Sequence, residues 1–278
     1  MEEKQNQDAP KMSSVEDAQE EQELTHTDKL VGVFTEPQPM FSRIAKFPAK
    51  TSDWLIPVLV VIVVAILSQF VMMSNPEIKL QQQEKMMQNI EKGLDDAVKE
   101  GKMTQEQADQ QLEQIQENMS GEAANMFQTI SLVVGIPFGM FIVFFVVTGF
   151  FLLVSKYGLK GGGEYKDIMV AYGLPMYISV IEIIISVIAA LAMGKLMTGL
   201  SAADLMGMDK TTTTGFLLSK ANPLSIWFYV VFGIGLAKMN KADDVKKYVI
   251  AVVVIWLGFS LLFYFLTKTF PFLGNFTG

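Results

Sequence analysis

Five long apolar runs, separated by polar segments, organise this chain. A bilayer core needs about 20 mostly apolar residues per helix, and the first run, 54–73 (WLIPVLVVIVVAILSQFVMM), meets that length. The second covers 130–154 and the third 168–194. They carry Pro137 and Pro175, each of which removes an intrahelical donor and predicts a kink. The fourth, 224–237, is short and reaches the lower end of the spanning range only with Ala221 to Pro223 and Lys238 added. The fifth, 248–266, is uninterrupted.

Between the first two runs the period changes. In 77–122 the apolar residues Ile78, Met86, Ile90, Leu94 and Val98 recur at near-helical spacing, and Gly101 supplies a stop. Thr104 and Gln107 then have the spacing of a capping box, followed by a second stripe of Ala108, Leu112, Ile115 and Met119. The pattern predicts an extramembrane helical hairpin whose two stripes face each other, as a self-paired hairpin or as a partner-binding surface.

Ahead of the first span, 30–53 alternates Phe41, Ile44 and Phe47 with Arg43, Lys46 and Lys50. That alternation suits either a short helix in the lipid headgroup layer or a re-entry linker, with Pro48 limiting its length. Residues 1–29 are acidic and poor in large apolar side chains, so they are expected to be disordered. The first 40 residues contain no apolar stretch of the kind a cleavable signal peptide needs. The first span is therefore expected to act as its own insertion signal.

Lys and Arg near span ends are retained on the cytoplasmic side. Arg43, Lys46 and Lys50 precede span one; Lys156, Lys160 and Lys166 join spans two and three; Lys238, Lys241, Lys246 and Lys247 join spans four and five. The expectation is an all-α, polytopic membrane bundle of five transmembrane helices, with a cytoplasmic N-terminus, an external C-terminus and an external hairpin.

Composition narrows the chemistry. Half of the 278 residues are hydrophobic and the formal net charge is -7. The balance is -7 over residues 1–40, -6 over 77–122 and +6 elsewhere, so the appendages are acidic and the membrane body basic. Without a basic excess a nucleic-acid partner is not expected. Cysteine is absent and His26 is the only histidine, so no thiolate metal site or histidine-based triad is expected, and neither cofactor nor catalysis.

Glu182 is the one acidic or basic residue deep inside a span. By insertion scales its charged burial costs at least about 2.5 kcal/mol, so it is protonated, or bonds a neighbour such as Ser179 or Ser186 on its own helix face; its role is a structural polar contact between helices or ion coupling in a small transporter. Five spans do not divide into two equal repeats, which speaks against transport. Gly161 and Gly162, in the run 160–164, make either a phosphate-binding backbone nest or a flexible connection; the ending of a P-loop is missing. Gly135 and Gly139 form a GxxxG, and Ser186, Ala190 and Gly194 continue a small-residue stripe. Both permit close helix packing within the chain or in a homo-oligomer. Trp54, Trp227 and Tyr248 fall near span ends, where aromatic anchors occur.

Several segments together resemble the Yip-domain family, the Ypt/Rab-interacting membrane proteins. They are LVGVFTEPQPMFSRIAKFPAKTSDWLIP; then GGGEYKDIMVAYGLPMYI, with Tyr172, Gly173 and Pro175 at the Tyr-Gly and proline motif; and NPLSIWFYVVFGIGLAKMNKADDVKKY, with Trp227, Gly233 and Gly235 in the fourth-span pattern. The resemblance covers about residues 30–267 and implies five spans with the orientation given above. It also implies a non-enzymatic adaptor or organiser that binds protein partners. The long insert resembles bacterial members, which implies a bacterial cytoplasmic membrane and no Rab-type GTPase partner.

Overall fold

The structure, a computed structural model, describes residues 22–118, 122–197 and 199–269. The described residues form α1 (His26–Thr35), α2 (Pro37–Ile44), α3 (Thr51–Met73), α4 (Pro76–Lys99), α5 (Gln105–Asn118), α6 (Glu122–Leu153), α7 (Tyr165–Gly173), α8 (Met176–Met193), α9 (Ala202–Leu205), α10 (Thr213–Ser219), α11 (Pro223–Met239) and α12 (Val245–Thr269). A π-helical turn, Val154–Gly158, closes α6. Among the described residues no strand occurs.

Four helical stretches are long and apolar enough to cross a bilayer: Thr51–Met73, Leu132–Gly158, Tyr165–Met193 and Val245–Thr269. Their outward surfaces are lined by large apolar side chains such as Phe138, Val146, Val254 and Phe265, as hydrocarbon requires of a spanning helix. The protein is an integral membrane protein.

The fourth run departs from a simple span. α11 is only 17 residues long, and it reaches spanning length and hydropathy only together with α10, from which it is bent by 57°, the geometry of a broken span or of a re-entrant loop. The cause is local: Pro223 has no N–H to donate and disfavours helical backbone at Asn222, so a new helix starts there with Asn222 as its cap. Pro175 interrupts the third run through its missing N–H alone, since Leu174 before it keeps helical backbone angles; α7 ends at Gly173 and α8 starts at Met176. α6, by contrast, continues as helix through Pro137.

The approach to the first span differs from both sequence-based readings. Of the tail expected to be disordered, residues 1–21 lie outside the described residues, while His26 already opens α1 behind a Thr25–Asp28 capping box. Phe41 and Ile44 do not lie on lipid. Both are buried in the main core, with the Phe41 ring against Gly235 of α11. Full burial of a phenylalanine is worth about 1.5–3 kcal/mol, a gain that holds α2 on the bundle. Tyr248 is likewise 2% exposed and packed inside, so it does not act as an interfacial anchor.

The hairpin is present as α4 and α5. Gly101 stops α4 at a φ of +71°, a backbone that glycine tolerates best. Thr104 and Gln107 exchange the expected capping-box bonds, at 2.9 and 3.2 Å. The apolar stripe of α4 is divided between two jobs. Ile78 is buried with Met72, Ala190 and Met197 at the hairpin root, and Met86, Ile90 and Leu94 line a cavity against α3 and α8. Met119, the end of the second stripe, lies outside the described residues.

Candidate functional site

The cavity beside the hairpin is an open cleft of about 910 Å³ lined by α3, α4, α8 and the segment after α8. Helical spacing puts its polar groups on facing sides. Ser68 and Gln69 come from α3, Gln82 and Lys85 from α4, and Ser179, Glu182 and Ser186 share one face of α8. The Gln81 amide fixes α4 in place, donating to the Gly194 carbonyl and accepting from the Leu196 N–H, both at 2.8 Å.

Glu182 does not pair with Ser179 or Ser186. Its Oε1 accepts from Asn222 Nδ2 at 2.5 Å, and the Ser225 hydroxyl lies 3.3 Å from both carboxylate oxygens. Asn222 simultaneously caps α11, its Oδ1 accepting from the N–H groups of Leu224 and Ser225. The break before α11 therefore brings its own cap to the carboxylate. Both partners of Glu182 are neutral. Ser186 Oγ, Gln69 Oε1 and Gln82 Oε1 are buried without a hydrogen-bond partner among the described residues. Such groups are costly to leave unsatisfied, which marks this wall as prepared for a donor.

The small residues divide into three groups. Ala190 is fully buried at the hairpin root, and Gly194 ends α8 in the left-handed conformation at φ +59°, where a Cβ would fall 2.7 Å from Glu77 Oε2. Gly173, Gly233 and Gly235 are close-approach positions. A Cβ on Gly173 would lie 2.6 Å from Trp54 Cα, one on Gly233 2.6 Å from Val249 Cα, and one on Gly235 2.7 Å from the Phe41 ring. A Cβ on Gly135 or Gly139 would meet nothing within 4 Å among the described residues, so the GxxxG is not a close-approach site there.

At the opposite end, Gly161 packs where a Cβ would collide with the Asn240 carboxamide and the Tyr248 hydroxyl, while Gly162 is open. Asn240 Oδ1 accepts the Gly163 N–H at 2.9 Å and its Nδ2 donates to the Leu236 carbonyl at 2.7 Å. The glycine run is thus clamped onto the end of α11. Tyr172 sits in an aromatic cluster, 5.0 Å from Phe232 and 5.6 Å from Phe144 and Phe228 between ring centres. Trp227 is partly buried against the same core.

A second polar cluster was not legible in the sequence. Lys29 of α1 and Asp53 of α3 form a buried ion pair, with Lys29 Nζ 2.9 and 2.8 Å from the two carboxylate oxygens. His26 Nε2 stands 2.6 Å from the Tyr177 hydroxyl, and burial pushes the imidazole below its ordinary value against the opposing pull of Asp53. The clue available was a lone lysine and a lone aspartate flanking an amphipathic approach segment. Their separation of 24 residues gave no reason to join them.

Among the described residues there is no group of three or more His, Asp or Glu side chains placed to hold a metal ion. The sequence family whose pattern matches is the Yip1 domain, over residues 31–266. Neither a curated protein nor a solved structure matches the chain.

Proposed function

We propose, from the premise that this chain belongs to the Yip1 domain family, that it is a non-enzymatic membrane adaptor or organiser that holds protein partners through its hairpin. The observation that carries this reading is the unequal anchoring of the two arms. The root of α4 is bound by the Asn75 cap, by buried Ile78 and by the Gln81 bridge. α5 packs on α4, and most of its surface is open.

A helix that buries little of its own surface and carries Glu106, Asp109 and Glu113 suits a basic protein surface, since charge complementarity steers and orients association. With the Lys-rich loops on the cytoplasmic side, this arm faces outward from a bacterial cytoplasmic membrane. The glycine clamps at the other end make the bundle a rigid base for it.

The test is crosslinking of the tagged, full-length protein in native membranes, read by mass spectrometry. It compares the wild type with a variant carrying Glu106→Lys, Asp109→Lys and Glu113→Lys. A near-stoichiometric partner that is lost on charge reversal supports the adaptor reading. Identical capture by both forms, or none by either, removes it.

A further inference from the structure

We infer that the cavity between α3, α4 and α8 is a binding site for a phosphoethanolamine group, its ammonium held at Glu182 and its phosphate at Lys85. Four observations converge. Glu182 is half-buried, and its hydrogen-bond partners Asn222 and Ser225 carry no charge, so its own charge is left to be met from the cavity. A carboxylate has about four acceptor positions, and among the described residues Oε2 takes only the long contact from Ser225.

The buried acceptors are the second observation. Gln69 Oε1, Gln82 Oε1 and Ser186 Oγ have no partner, and all three residues line this space. Three acceptors in the same cavity as one carboxylate suit a cation that also donates hydrogen bonds. A primary ammonium has three N–H donors to give, whereas a quaternary ammonium has none. The site therefore discriminates ethanolamine from choline by unmet hydrogen bonds, the same logic by which a polar site rejects an analogue lacking its donor.

Charge is arranged along the cavity. Glu182 is half-buried while Lys85 on α4 is exposed. This order matches a zwitterion entering ammonium first, with its phosphate left near the lysine. Met72, Met86, Ile90, Leu94 and Val187 supply apolar wall between these groups, alongside the polar Ser68, Asn89 and Ser179. The volume of about 910 Å³ falls within the range of small-molecule sites and exceeds what an ammonium alone would fill. Because α3 and α8 are spanning helices, the group reaches the cavity either on a lipid, as phosphatidylethanolamine, or as free phosphoethanolamine.

The experiment is native mass spectrometry of the full-length protein in detergent. It is titrated separately with phosphatidylethanolamine and phosphatidylcholine of identical chains, and then with free phosphoethanolamine as competitor. Retention of the ethanolamine lipid over the choline lipid by on the order of tenfold, the equivalent of one well-made polar contact, is the expected result. Glu182→Gln should remove the preference. Lys85→Glu, an exposed change that leaves the melting temperature in place, should weaken retention of the ethanolamine lipid.

Competition by free phosphoethanolamine at comparable concentration assigns the site to the soluble compound, and resistance to it assigns the site to the lipid. Equal retention of both lipids by the wild type, with no displacement by phosphoethanolamine, overturns the inference. So does an unchanged preference in a folded Glu182→Gln protein.

Discussion

Lys29 and Asp53 face each other at 2.8 Å with both side chains at most 4% exposed, tying α1 to the first turn of α3. A buried pair is weak evidence for net stability, yet removing Asp53 leaves the buried Lys29 ammonium only the longer, 3.7 Å contact to the partly exposed Glu23. We expect Asp53→Ala to destabilise the protein by roughly 3–5 kcal/mol. The double change Lys29→Met, Asp53→Leu should be clearly milder, since no charge is left behind. Thermal melting of the detergent-solubilised protein measures both, and a double variant as unstable as the single one would contradict the argument.

His26 adds a pH dependence at the same joint. Burial holds its folded pKa below the ordinary 6.5, so between the two values the unfolded state binds more protons and stability rises with pH. The docking of α1 should weaken as pH falls below about 6.5 and stay constant above it. Hydrogen exchange over residues 26–35 at pH 7.5 and 5.5 reads this out. His26→Gln, which keeps a hydrogen-bonding group opposite Tyr177, should flatten the difference.

Glycine substitutions should sort by their neighbours. Gly173→Ala and Gly233→Ala drive a methyl to 2.6 Å from the Cα atoms of Trp54 and Val249, and overpacking against backbone typically costs about 1–3 kcal/mol. Gly135→Ala and Gly139→Ala meet open space and gain helix propensity of up to about 1 kcal/mol. Melting temperatures should fall for the first pair and hold or rise for the second.

At the other joint, Asn222 caps α11 and donates to Glu182. Asn222→Ser keeps the capping ability but loses the reach to the carboxylate, a loss of about 1–3 kcal/mol. Asn222→Asp caps equally well and places a second negative charge beside Glu182, so it should melt lower than Asn222→Ser at pH 8. The reverse order would mean that the carboxylate contact contributes nothing.

The apolar runs were readable because a bilayer imposes length and composition residue by residue, without reference to the rest of the chain. The same holds for the capping box at Thr104 and Gln107 and for the stop at Gly101, which are settled within a few residues. The short fourth run already carried its own warning in Asn222-Pro223, although the 57° bend to α10 needed the neighbouring helices to fix it. Glu182 stood out for its charge alone. The partners that give it meaning, Asn222 and Ser225, lie 40 and 43 residues away.

By itself, the sequence determined which segments are helical, which are apolar enough to enter a bilayer, where the charges concentrate and which family the motifs resemble. Tertiary structure alone decided what each small or polar residue faces. Gly135 and Gly139 have the spacing of a close helix contact yet face open space among the described residues, whereas Gly173, isolated in the sequence, lies against the Trp54 backbone. Phe41 and Ile44 have the pattern of a lipid-surface helix yet are buried beneath the bundle. The physical reason is that a helix's period fixes which residues share a face, while the neighbour covering that face comes from distant parts of the chain. Lipid, protein core and a polar cavity each accept the same local pattern.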